Sequence, residues 1–117
     1  MSMVMVFRAR ARSAPPNPAG AHFLRDQALI TQLVRGSGAS MGKLAVDLGA
    51  GHGAITEALA AAGARVIAVE RDPRLARQLR RRFDSQASIR VVEADLRCVP
   101  LPRRDFIVVA NPPFARR

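Results

Sequence analysis

Four short apolar runs, at 44–48, 65–70, 89–92 and 106–110, alternate with stretches whose apolar residues recur at helical spacing. That alternation limits the chain more than any other feature. Parallel neighbours in a sheet need long crossovers, and helices supply them, so the pattern predicts an open parallel α/β sheet with helices on its faces. Asp26 can cap a first helix carrying Leu29, Ile30, Leu33 and Val34 and ending at Gly36. A second helix starts near Gly53, turns Ile55 and Leu59 inward and ends at Gly63. Asp72-Pro73 starts a third, with a carboxylate cap followed by proline at the first helical position. Leu75, Leu79 and Phe83 form its apolar stripe, and Arg74, Arg77, Arg80, Arg81 and Arg82 occupy the other faces.

In such sheets ligands bind outside the carboxyl ends of the strands. Asp47, Glu70, Asp95 and Asn111 each fall at or just past the end of an apolar run. Four polar positions therefore converge on one edge.

The segment Asp47-Leu48-Gly49-Ala50-Gly51-His52-Gly53 puts glycines between a strand and a helix, where backbone can approach a ligand closely. Gly49 to Ala54 also satisfies G-x-G-x-x-A, and Glu70 follows at the spacing of a ribose-binding acid, so a nicotinamide dinucleotide is a competing ligand. Asp47 argues against it, because a carboxylate beside a pyrophosphate repels. S-adenosylmethionine carries a sulfonium and an ammonium, which a carboxylate attracts. Asp47 as a plain helix-capping or turn residue is the structural alternative. Glu70 can accept from the ribose hydroxyls of either cofactor, or be an ordinary strand-terminal acid beside Arg71. Asp95 can accept from an adenine amino group, with the Leu96 N–H donating to the ring, or cap a loop.

Asn111-Pro112-Pro113-Phe114 is the most specific tetrad. Two prolines fix φ and remove two donors, leaving a stiff turn that presents carbonyl groups and the Asn111 side chain. An amine on an aromatic ring is a poor nucleophile because its lone pair is delocalised. If Asn111 Oδ1 and the Pro112 carbonyl accept its two hydrogens, the lone pair is aimed at a methyl donor, and catalysis is orientation plus stabilisation of developing positive charge. Phe114 can stack on an extruded base. A simple strand-ending turn is the alternative.

Net charge is +10, from 19 basic and 9 acidic residues, which suits a polyanionic partner. Lys43 is the only lysine, and arginine's planar fork pairs well with phosphate, although a bias toward Arg and Ala accounts for part of the excess. The arginine-rich face of the third helix also has a plain reading as solvated surface. Cys98 is the only cysteine and no CxxC exists, so neither an internal disulfide nor a metal cluster is expected. No run approaches the length of a membrane span. The apolar start at 3–7 is too short for a signal peptide; Arg8, Arg10, Arg12 and Arg25 without an acid resemble a transit peptide, but a basic disordered arm over 1–19 is the favoured reading.

Taken together, Ala21-His22-Phe23-Leu24, Asp47 to Gly53, Glu70, Asp95 and Asn111 to Phe114 resemble the ribosomal RNA adenine N6-methyltransferases. These comprise the erythromycin-resistance methylases of large-subunit RNA and the dimethyladenosine transferases of small-subunit RNA. The resemblance covers about residues 20–114. It implies a Rossmann-like class I methyltransferase fold, incomplete, with its first four parallel strands and flanking helices in residues 20–117. It also implies S-adenosyl-L-methionine as cofactor, with His22 and Leu24 near its methionine end, Gly49 and Gly51 lining the loop, Glu70 on the ribose, and Asp95 and Leu96 on the adenine. Asn111, Pro112 and Phe114 would hold the target base, and ribosomal RNA would be the partner of a cytoplasmic enzyme that is a monomer when full length.

Asn-Pro-Pro-Phe, rather than the Asn-Leu-Pro-Tyr usual in small-subunit enzymes, points to 23S rRNA and macrolide resistance. Ala21 departs from the family's glutamine. Family members also continue past Phe114 with further strands and a helical RNA-binding domain, so a truncated product is expected: an open apolar edge on the last strand, and poor solubility or inactivity alone. Other readings are a DNA adenine or protein glutamine N-methyltransferase, which use a similar tetrad, and a non-catalytic basic fragment that contacts RNA through Arg8 to Arg12 and Arg74 to Arg82.

Overall fold

The structure, a computed structural model, describes residues 5–9, 27–95 and 97–110. Chain order is β1 (Met5–Ala9), α1 (Gln27–Ser37), β2 (Leu44–Leu48), α2 (Ala54–Ala61), β3 (Arg65–Glu70), α3 (Pro73–Arg82), β4 (Ile89–Glu93) and β5 (Phe106–Ala110). The four runs expected as strands are β2 to β5, and the three expected helices are α1 to α3. The Asp72 carboxylate caps α3 as its sequence predicts, accepting from the Arg74 N–H at 2.8 Å and the Leu75 N–H at 3.4 Å. Helix α1 runs one residue past Gly36, and the Ser37 hydroxyl donates to the Val34 carbonyl at 2.6 Å.

The sheet order is β1-β5-β2-β3-β4. Strands β5, β2, β3 and β4 are parallel. The chain steps outward from β2 through β3 to β4, then returns to the far side of β2 as β5. The strand order thus reverses between β2 and β5, and a crevice opens at the carboxyl ends of such a pair. Ile30 and Val34 of α1, Ile55 and Leu59 of α2, and Leu79 and Phe83 of α3 form one buried cluster with Ala45, Val66, Ala68, Ile107 and Val109. All three helices therefore lie on one face of the sheet. Because side chains alternate along a strand, the other face carries Val46, Val69, Phe106, Val108 and Ala110, against which Ala94 and Val99 pack.

One expectation is corrected. The outer edge of β5 is not open: β1 pairs with it antiparallel, from Met5 opposite Ala110 to Ala9 opposite Phe106. Residues 5–9, expected as part of a disordered arm, are a strand because β5 is buried along all five residues and offers unpaired backbone groups on that side. Deleting residues 1–9 should re-expose an apolar edge, which templates intermolecular pairing. Light scattering should then show the shortened chain associating at concentrations where the intact chain does not. A shortened chain that stays monodisperse would argue against β1 as the cover of this edge.

Candidate cofactor and target-base site

The site is built where β2 and β3 end. Leu48 is in register with Val69 of β3 and with Ala110 of β5, so the loop after β2 emerges between them. It folds back at once: the N–H groups of Gly49 and Ala50 both donate to the Val69 carbonyl, at 2.8 and 3.0 Å. Gly49, Gly51 and Gly53 have φ of 79°, 58° and 97°, a left-handed succession that side chains resist. At Gly53 a second constraint applies. A Cβ there would lie 2.8 Å from the Phe83 ring and 2.9 Å from a Leu79 methyl, so the loop sits directly on α3.

Glu70, the last residue of β3, holds the loop's middle. Its Oε1 accepts from the Gly51 N–H at 2.8 Å and its Oε2 from the Asp72 N–H at 3.0 Å. One carboxylate thus ties the glycine loop to the start of α3, and each oxygen keeps a further lone pair for a ligand. The Arg82 guanidinium grips the loop from the other side. It donates to the His52 carbonyl and, at 2.8 Å, to Glu57 of α2, and lies 5.0 Å from the centre of the Phe83 ring.

Asp47, expected close to a ligand at the start of the second helix, is buried. It alternates onto the helix-bearing face and lies beneath the first turn of α2, 1% exposed. Its Oδ2 accepts from the Thr56 hydroxyl at 2.6 Å, and its Oδ1 has no partner among the described residues. Burial raises its pKa from 3.8 to about 6; the Thr56 hydrogen bond opposes the shift and the nearby Glu70 charge adds to it. Its folded pKa thus stands above that of the unfolded chain, where it titrates near 4. Between about pH 4 and pH 6 the folded form binds more protons, so this group's contribution to stability is full below pH 4 and is lost as pH rises through 6. At about 1.4 kcal/mol per unit the change is about 3 kcal/mol. Urea titrations from pH 4 to 7 should show this fall, and Asp47→Asn should remove it; an unchanged profile in that variant would assign the effect elsewhere.

Asp95, just past β4, is engaged by Arg97. Its Oδ1 accepts from the Arg97 N–H at 2.9 Å and from Nε at 3.2 Å, and its Oδ2 accepts from the guanidinium at 3.0 Å. These bonds hold its carboxyl down to about 2. Five of the nine acidic residues, Asp47, Glu70, Asp72, Glu93 and Asp95, gather at the carboxyl ends of the strands; Arg97 pairs with Asp95 and Arg80 lies near Glu93, which leaves Glu70, Asp72 and buried Asp47 as the acidic edge beside the glycine loop. That edge disfavours a pyrophosphate and favours a cation. His22, Leu24, Leu96, Asn111, Pro112 and Phe114 lie outside the described residues. Asn111 follows Ala110, the β5 residue paired with Leu48 at the start of the loop. Thr56 and Arg82 were missed by sequence reasoning. A polar residue between buried Ile55 and Leu59 was a signal for the first; nothing local marked the second among its neighbouring arginines.

The pattern of the ribosomal RNA adenine dimethylase family matches residues 17–115. This chain belongs to that family. It is 32% identical over 104 residues to an rRNA adenine N-6-methyltransferase of Bacillus licheniformis, covering 89% of this chain and 36% of that protein. It is 38% identical over 96 residues to ribosomal RNA small subunit methyltransferase A of Thermosynechococcus vestitus, covering 81% and 36%. The crystal structure of 23S rRNA methyltransferase ErmE superposes with a TM-score of 0.64 at 32% identity, over 69% of this chain and 33% of that one. The fold is therefore the Rossmann-like class I methyltransferase fold that the resemblance implied. The chain spans about a third of the length of the curated relatives it matches. Among the described residues no group of three or more His, Cys, Asp or Glu could hold a metal ion, and no helix is long and apolar enough to cross a membrane.

Proposed function

We propose that this chain forms the cofactor-binding part of an S-adenosylmethionine-dependent rRNA adenine N6-methyltransferase. The carrying observation is the acidic glycine-loop edge at the point where the strand order reverses. A ligand there meets backbone that glycines leave uncovered, the Glu70 carboxylate, and the field of Asp47 with its unpartnered buried oxygen. These residues fit a cationic methyl donor better than a dinucleotide. When bound, S-adenosylmethionine supplies an electrophilic methyl on a sulfonium.

The chain's own residues do the rest. Glu70 accepts from ribose hydroxyls on its remaining lone pairs while keeping the loop in place, and Gly49 and Gly51 let the backbone close on the ligand. Asp47, locked by Thr56, supplies negative potential from beneath. Asp95 and the Leu96 N–H read the adenine, and His22 and Leu24 flank the methionine end. Asn111 Oδ1 and the Pro112 carbonyl accept the two hydrogens of the target amine, and Phe114 stacks on the extruded base. The Asn-Pro-Pro-Phe tetrad assigns the substrate to large-subunit RNA, with macrolide resistance as its consequence; relatives of both branches match, so the tetrad alone supports that choice. The enzyme works as a monomer in the cytoplasm, where its ribosomal substrate is found.

Calorimetric titration with S-adenosylhomocysteine and with NAD tests the cofactor. Binding of the first and not the second is expected, and binding of NAD alone would overturn the reading. Methylation of 23S against 16S RNA by the chain extended to its relatives' length tests the substrate.

A further inference from the structure

The arginines of α3 fall into two groups that the sequence does not separate. Arg80 and Arg82 flank the helix and are committed to neighbours: Arg80 lies 3.7 Å from Glu93 of β4, and Arg82 joins Glu57 and the His52 carbonyl. Arg74, Arg77 and Arg81 recur at i, i+3 and i+7, which puts them in one line opposite buried Ala76 and Leu79. All three are exposed and have no ion-pair partner among the described residues. Gln78 is the other residue of this crest, which carries no acid and no apolar side chain. The line starts at the cofactor edge, since Pro73 comes three residues after Glu70, and descends the outside of the molecule.

We infer that the Arg74–Arg77–Arg81 crest is a docking strip for the phosphate backbone of the substrate RNA, on the face of the methyltransferase domain beside the cofactor loop. This rests on the reading of the substrate as RNA. Seven residues of helix rise about 10 Å. The three guanidinium groups, carried on long flexible side chains, can reach about two or three successive phosphates over that length. Free guanidinium groups match phosphate oxygens in pairs. An anionic membrane is disfavoured, because a helix lying in an interface buries apolar residues and this crest has none. The strip contributes affinity and register without reading bases.

The test uses the full chain and a fluorescently labelled RNA hairpin with adenine in its loop, followed by anisotropy across a salt series. Arg74→Gln/Arg77→Gln/Arg81→Gln should lower the slope of log K against log salt by about 2 to 3, at about 0.7–0.9 per phosphate contact, for any RNA sequence. The corresponding triple lysine variant keeps the charge and should keep the slope. Arg103→Gln/Arg104→Gln, exposed residues just before β5 and outside α3, should change it little. S-adenosylhomocysteine binding should persist in all of them, which separates this outcome from failure of the cofactor site. An unchanged slope in the glutamine triple, an equal loss in the Arg103/Arg104 pair, or loss of binding to phosphatidylserine vesicles but not to RNA would each overturn the proposal.

Discussion

Gly53→Ala is expected to destabilise the fold by about 2–4 kcal/mol, the largest single-residue stability effect among the loop glycines. Two costs combine. A φ of 97° is a region that L residues enter at about 1–3 kcal/mol. The new methyl would also press on Phe83 and Leu79, which are 3% and 1% exposed and have little room to withdraw; overpacking of that kind costs about 1–3 kcal/mol. Gly36→Ala is the matched control. It lies in α1 with nothing within 4 Å of its added Cβ and no positive φ, so helix propensity should stabilise the chain by up to about 1 kcal/mol. Urea unfolding of both variants measures the contrast. If Gly53→Ala came within about 0.5 kcal/mol of the parent, the loop would not be seated on α3 as described.

Glu70→Ala should reduce affinity for S-adenosylhomocysteine by about 100-fold or more. The carboxylate bonds the loop through Gly51 and the head of α3 through Asp72, and hydrogen bonds to a charged group contribute about 1.5–3 kcal/mol each. Removing it frees the loop that should receive the ligand and removes the acceptor proposed for the ribose hydroxyls. Glu70→Gln should fall between the two, because its amide can accept from one N–H but sets an NH2 group against the other. Calorimetry on the three proteins gives the order directly. A change of less than about threefold in the alanine variant would mean that Glu70 neither meets the cofactor nor holds the loop that receives it.

Much of this architecture was legible because it is written locally. The apolar runs of β2 to β5, the Asp72-Pro73 start of α3 and the glycines after β2 each carry their signal within a few neighbouring residues. The acidic positions at the strand ends were legible for the same reason, since topology brings every carboxyl end of a parallel sheet to one side. What stayed hidden depends on contacts between distant elements. Met5–Ala9 has no turn beside it to announce a hairpin, and its partner strand is almost the whole described chain away. Asp47 was legible as the acid at the end of β2, but its burial against Thr56 was not, because the alternation along β2 carries weight only once the helix-bearing face is known. Arg82 differs from Arg81 only by the angle at which it leaves the helix.

The antiparallel join between β1 and β5 also fixes an order of assembly. Leu44 meets Arg65 and Val66 meets Ile89, pairings that close modest loops, whereas Met5 must find Ala110. Closing the longer loop costs more entropy, and contacts of high sequence separation slow folding. The β2-β3-β4 block can form while a ribosome is still adding residues, but β1 has to wait for β5. During that interval both sides of the join are exposed, and the apolar edge that β1 later covers is open to pairing with another chain.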